Sequence, residues 1–127
     1  MTAQIMVIED EVNIRRFVAA NLTVRGYSVE EHETAESGLE SMRLAPPDVL
    51  VLDLILPGMN GTDLLLEMLM DETLLYVPVI VFSASTTDLL LDRARYENVV
   101  EILTKPVSVE DLTGAVSRAV GTLNRRP

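Results

Sequence analysis

The sequence predicts an α/β domain built as (βα)5, with a doubly wound, parallel five-stranded sheet, and three observations carry that prediction. Short apolar runs alternate with segments of helical period, which is the pattern of βαβ units. The runs ending at Asp10, Asp53 and Ser83 are apolar nearly throughout, as central parallel strands are. At 127 residues the chain has the length for one such domain with one core.

The first strand is expected near 4–9 and the first helix near 12–24, where Ile14, Phe17, Val18 and Leu22 recur at spacings of three and four so that one face covers the sheet. Gly26 supplies the C-terminal stop. The second strand, near 27–32, is the most polar of the set and alternates, which suits a sheet edge. A helix near 35–44 cannot continue through Pro46-Pro47, which deliver the chain into the third strand near 48–53. The third helix, near 61–72, has Leu64, Leu65, Leu66, Met68, Leu69 and Met70 spread around most of its circumference, leaving a polar strip of Asp63, Glu67 and Asp71. A fourth strand near 78–83 leads to a fourth helix near 87–96, on which Leu90, Leu91 and Ala94 face the sheet and Leu89 and Tyr96 share the outer side. The fifth strand falls near 100–104, and Ser108 with Asp111 resembles a cap for a last helix near 109–123. Right-handed crossovers with the polar strand at an edge give the order 2-1-3-4-5, whose switch point lies between strands one and three.

Composition narrows the function. Twenty acidic residues against ten basic ones give a formal charge of −10, so the domain is repelled by nucleic acid and by anionic membranes. Without cysteine there is no disulfide framework, no thiolate nucleophile and no Cys-ligated zinc. The longest apolar stretch, Leu74 to Phe82, is broken by Pro78 and is far short of the ~18 residues of a membrane helix. The N-terminus enters a strand with no basic segment leading into an apolar one, so no signal peptide is expected and the default location is the cytoplasm. One domain is expected over 1–123, with 124–127 a tail or the start of a linker.

The chemistry sits just past the strands. Glu9 and Asp10 follow Ile-Met-Val-Ile, Asp53 ends Val-Leu-Val-Leu-Asp, Ser83 follows Val-Ile-Val-Phe, and Lys105 follows Ile-Leu-Thr. In a parallel sheet all of these groups meet at the carboxyl edge, where open α/β sheets place ligands. Hard divalent cations such as Mg²⁺ take oxygen ligands, commonly one or two carboxylates with waters and phosphate oxygens. Asp10 and Asp53 suit that role, with Glu9 acting directly or through water. A carboxylate also attacks phosphorus, and Asp53, from a central strand, is the best candidate. Lys105 and the cation would then neutralise phosphoryl oxygens while Ser83 donates a hydrogen bond.

With those residues in place, the chain resembles the receiver domains of bacterial response regulators across essentially its whole length. The matching segments are Val-Ile-Glu-Asp-Glu (7–11), Val-Leu-Asp-Leu-Ile-Leu-Pro-Gly-Met-Asn-Gly (51–61), Phe-Ser-Ala (82–84) and Leu-Thr-Lys-Pro (103–106). The resemblance implies a flavodoxin-like fold and a phosphorylation-controlled switch rather than a turnover enzyme. It implies a metal pair at Glu9 and Asp10, the phosphoacceptor at Asp53, a metal-facing backbone carbonyl at Ile55, the switch hydroxyl at Ser83, the phosphate-binding Lys105 and a cis bond before Pro106. It also implies Mg²⁺ or Mn²⁺ as cofactor, and a sensor histidine kinase or histidine phosphotransfer protein as phosphodonor. The family's aromatic switch residue falls at Ile102, which offers neither a hydroxyl nor a ring. Ala115 stands where the winged-helix DNA-binding subfamily usually has a dimer-contact arginine, which weakens assignment to that subfamily.

Two other readings compete. One is a receiver-like interaction module that is never phosphorylated; Mg²⁺-dependent phosphorylation separates the two. The other is a flavin domain of the same architecture, disfavoured by three carboxylates facing a phosphate. Leu66, Met70, Leu89 and Tyr96 are the expected partner surface, with the region of the fourth helix and fifth strand contacting a second copy or an output partner. His32, the single histidine, is read as a solvated side chain on the edge strand.

Overall fold

The computed structural model describes residues 2–84 and 96–122. Five parallel strands, β1 (Gln4–Ile8), β2 (Ser28–His32), β3 (Val49–Asp53), β4 (Val79–Ser83) and β5 (Val99–Thr104), form one sheet in the order β2-β1-β3-β4-β5. The helices among the described residues are α1 (Val12–Val24), α2 (Ala35–Leu44), α3 (Gly61–Leu69) and the C-terminal helix Val109–Gly121. The helix expected near 87–96 lies, apart from Tyr96, outside the described residues, and Leu89 lies there with it.

Alternation along the strands divides the core into two layers. Met6, Ile8, Leu50, Leu52, Val79 and Val81 pack towards α2 and α3, while Ile5, Val7, Val49, Val51, Ile80 and Phe82 pack towards α1 and the C-terminal helix. β3 and β4 are buried at every residue, whereas every residue of β2 is exposed or half-buried. That contrast is the physical basis of the strand order, because a polar strand is tolerated only where one side meets solvent.

Local chemistry sets the helix ends. Thr34, Asn60 and Ser108 each accept a hydrogen bond from the backbone N–H three residues on, capping α2, α3 and the C-terminal helix. Gly26 follows α1 with φ of 93°, a left-handed conformation that costs glycine little. α3 stops at Leu69 rather than 72, because Asp71 turns its side chain onto the Thr73 backbone N–H at 2.9 Å and competes with the helical bond.

Four expectations need correction. On α1 the buried stripe is Arg15, Val18, Ala19 and Leu22, and Phe17 is 39% exposed. Tyr96 is 5% exposed and belongs to the core beside Val99, so it presents no partner surface. It opens the turn into β5, its carbonyl accepting from the Val99 N–H at 3.0 Å, and packs in the same core layer as Val99. His32 is half-buried rather than freely solvated: its side chain is 14% exposed, with Nδ1 2.6 Å from Ser37 Oγ and Nε2 2.5 Å from Glu30 Oε2. The C-terminal helix ends at Gly121, short of 123. Along α3 and its C-cap, Leu64, Leu65 and Met68 are buried, Leu66 is half-buried and Met70 is 75% exposed.

Candidate functional site

Parallel pairing brings the predicted groups to one edge. Ile8 lies beside Leu52 in the β1–β3 ladder, so Glu9 and Asp10 leave β1 where Asp53 ends β3. Asp53 pairs with Phe82, and Ser83 pairs with Thr104, the residue before Lys105. The Lys105 N–H donates to the Ser83 carbonyl at 2.9 Å, tying the two following loops together. The Lys105-Pro106 bond is cis.

Glu9, Asp10 and Asp53 each place a carboxylate oxygen within 4.8 Å of the others. Glu9 and Asp53 are buried, at 2% and 5% exposure, and Asp10 is exposed. Lys105 Nζ lies 3.1 Å from Asp53 Oδ2 and 3.4 Å from Glu9 Oε2. Asp53 Oδ1 accepts from the Ile55 N–H at 3.2 Å, and Glu9 Oε1 from the Glu11 N–H at 3.2 Å. Ser83 is buried at the end of β4, and Ile55 is 75% exposed on the loop after β3. Ile102 pairs with Val81 and is half-buried against the α2 and α3 side of the core.

The electrostatics are those of a site short of positive charge. Burial first, and then the neighbouring Asp53 carboxylate, push the Glu9 carboxyl from 4.5 up to about 7, against the opposing pull of Lys105. Burial works against the Lys105 ammonium, but its hydrogen bond to Asp53 and the charges of Asp53 and Glu9 outweigh it and raise the pKa. One ammonium facing three carboxylates leaves a formal deficit of two positive charges. A hard divalent cation fits that deficit and an all-oxygen donor set.

The loop between β3 and α3 owes its path to glycines. Gly58 has φ of 71°, and at Gly61 a Cβ would sit 2.6 Å from Leu54 Cα and 2.8 Å from the Asp53 carbonyl oxygen. α3 therefore starts hard against the backbone that carries Asp53.

The fold and this edge define a class. The chain belongs to the response regulator receiver domain family, whose model matches residues 5–117. Among relatives, it is similar to the transcriptional regulatory protein KdpE of Mycobacterium tuberculosis, 37% identical over 116 residues that cover 91% of this chain and 50% of that protein. The response regulator ArlR of Staphylococcus epidermidis is 29% identical over 97% of this chain and 53% of its own length. The chain thus spans about half the length of these curated relatives. NtrX from Brucella abortus superposes with a TM-score of 0.86 at 28% identity, over 98% of this chain and 28% of that one. The chemotaxis response regulator CheY4 of Vibrio cholerae gives 0.86 at 23% identity, over 94% and 99% of the two chains, a likeness of fold. Receiver domains of two-component systems are phosphorylation-dependent switches that bind Mg²⁺ at an acidic pocket, and response regulators receive phosphoryl groups from sensor histidine kinases. Among the described residues no helix is long and apolar enough to cross a membrane.

Sequence reasoning missed Arg15. It is 9% exposed on α1 and donates from Nη1 to the Glu9 carbonyl at 2.9 Å. The pointer to it was the pair of acids Glu31 and Glu33, at the end of β2 and just past it, legible only once β2 is known to lie beside α1.

Proposed function

We propose that this domain accepts a phosphoryl group on Asp53 from a phosphohistidine donor and thereby switches its partner contacts. The observation that carries the reading is the cluster of Glu9, Asp10 and Asp53 with Lys105 bonded to two of its members. An Asp53 carboxylate oxygen forms the new bond to phosphorus as the bond from phosphorus to the donor imidazole nitrogen breaks, and that nitrogen leaves with the electron pair. Hydrolysis returns Asp53 as a carboxylate and releases inorganic phosphate.

Glu9, Asp10, Asp53 and the Ile55 carbonyl would hold Mg²⁺ or Mn²⁺. Bound there, the cation supplies positive charge against phosphoryl oxygens. Lys105, already within bonding distance of Asp53, neutralises a further phosphoryl oxygen, and Ser83 donates its hydroxyl to another. Burial of Glu9 and Asp53 keeps the low-dielectric surroundings in which such charges act strongly. The donor is a sensor histidine kinase or a histidine phosphotransfer protein. Output runs to a second copy or another protein through the region of β5 and the preceding segment, or through Leu66 and Met70 on α3. A formal charge of −10 argues against direct contact with DNA.

Ile102 favours one second reading, an interaction module that is not phosphorylated, because its aliphatic side chain packs against the core and carries no hydroxyl. Intact-mass analysis after incubation with acetyl phosphate separates the two. A single Mg²⁺-dependent phosphoryl adduct, absent in Asp53→Asn, supports the switch. A folded wild type that takes no adduct supports the interaction module.

A further inference from the structure

We propose that Arg15 is a positioning residue that aims the Glu9 and Asp10 carboxylates, and so sets the cation affinity of the site. This rests on the reading of Glu9, Asp10 and Asp53 as cation ligands.

Three nitrogens of the guanidinium face three different oxygens, one through a hydrogen bond and two through ion pairs. Nη1 donates to the Glu9 backbone carbonyl at 2.9 Å, Nε faces Glu31 Oε1 at 3.3 Å and Nη2 faces Glu33 Oε1 at 3.6 Å. The guanidinium is thus oriented by two acids at the end of β2, and its side chain is only 10% exposed. On the other side of the same residue, the Glu9 N–H donates to the His32 carbonyl at 3.0 Å. Both polar backbone atoms of Glu9 are therefore fixed from outside the loop, one by β2 and one by α1. The direction of a carbonyl sets the plane of the peptide that follows it. Here that peptide joins Glu9 to Asp10, so its plane determines how the two Cα–Cβ bonds leave the chain.

Asp10 is exposed, and Arg15 reaches its loop through this carbonyl. Arg15 itself bonds to the backbone rather than to the three carboxylates, which makes its role indirect. A planar fork spreads its donors over three nitrogens and faces all of these oxygens at once, whereas the three donors of a lysine all leave one nitrogen at the end of a flexible stem.

Charge and geometry predict opposite results for its removal. A cation near the site repels a second cation, and losing Arg15 also frees Glu31 and Glu33, so a purely electrostatic role makes Arg15→Met bind divalent ions more tightly. A positioning role makes it bind more weakly, by about tenfold as is usual for groups that orient metal ligands. Mn²⁺ affinity is measured by the electron paramagnetic resonance of free Mn²⁺ at near-physiological salt, for wild type, Arg15→Met and Arg15→Lys, with circular dichroism to establish that each is folded. The expected result is weaker binding in both variants, since Arg15→Lys keeps the charge but loses the fork. Either folded variant binding as tightly as wild type, or more tightly, overturns the proposal. If Arg15→Met does not fold, Arg15→Lys decides alone. A wild type that does not bind Mn²⁺ overturns the cation-site reading and the inference with it, a result distinct from variants that match a binding wild type.

Discussion

Replacing Gly61 by alanine tests whether the contact between α3 and the Asp53 backbone is as tight as the structure has it. The added Cβ would lie 2.6 Å from Leu54 Cα, 2.8 Å from the Asp53 carbonyl oxygen and 2.9 Å from the Leu54 carbonyl oxygen. All three obstacles are backbone, so no rotamer change relieves them. Carbon atoms pack at roughly 3.5–4.0 Å, which requires α3 and the loop to separate by about 1 Å. Overpacking of this kind costs about 1–3 kcal/mol. The Gly61 N–H bond to the Leu54 carbonyl, now 2.8 Å, would stretch beyond useful length, at about 1 kcal/mol. Gly61 does not have positive φ, so alanine meets no backbone penalty and recovers about 0.4–1 kcal/mol from the unfolded chain. The net expectation is a loss of roughly 1–3 kcal/mol, which at about 2 kcal/mol per molar lowers the urea midpoint by roughly 0.5–1.5 M. Urea unfolding followed by circular dichroism reads this directly. An alanine variant with an unchanged midpoint and slope would refute the packing argument.

Further outcomes follow from the same geometry. Lys105→Met removes the ammonium that faces Asp53 and Glu9, and acetyl phosphate labelling should slow by on the order of 100-fold; labelling at the wild-type rate would exclude charge neutralisation by this residue. Because the folded protein holds the Glu9 proton to about 7 and the unfolded chain releases it near 4.5, the contribution of Glu9 to the stability of the cation-free protein should be fullest below that window and decline as pH rises through it. Urea midpoints in chelator at about pH 5 and about pH 7.5 check the sign, and a rising trend would contradict it. The lowered carboxyls of Glu30 and Asp71 act below their ordinary values of 4.5 and 3.8, so they do not mask this effect. Ser108→Ala removes the acceptor of the Asp111 N–H and should cost about 1 kcal/mol in the same assay, with an unchanged midpoint counting against the cap.

What could be read from residues alone follows from how local the causes are. Strand order was legible because the polarity of β2 and the apolarity of β3 and β4 are properties of single segments. Glu9, Asp10, Asp53, Ser83 and Lys105 were legible for the same reason, each being a polar group that closes an apolar run. Arg15 was not, since a basic residue on an amphipathic helix ordinarily faces solvent and its partners belong to another strand. His32 misled in part for the same reason: Glu30 is its same-face neighbour on β2, but Ser37, which holds the other ring nitrogen, comes from α2 and is not shown by the strand alone. Tyr96 was placed by extending helical period to a residue that in fact introduces β5.

The pairing of Lys105 with Glu9 and Asp53 spans 96 and 52 positions of the chain. No fragment that lacks the assembled sheet can present these groups together, so an unfolded or half-assembled chain offers a cation nothing comparable to bind. An ion that recognises only the finished molecule stabilises it by mass action without being diluted among partly folded forms. Occupancy of this edge would therefore report on the integrity of the whole domain, and a rearranged chain that preserved the strand order while moving its termini would keep the site.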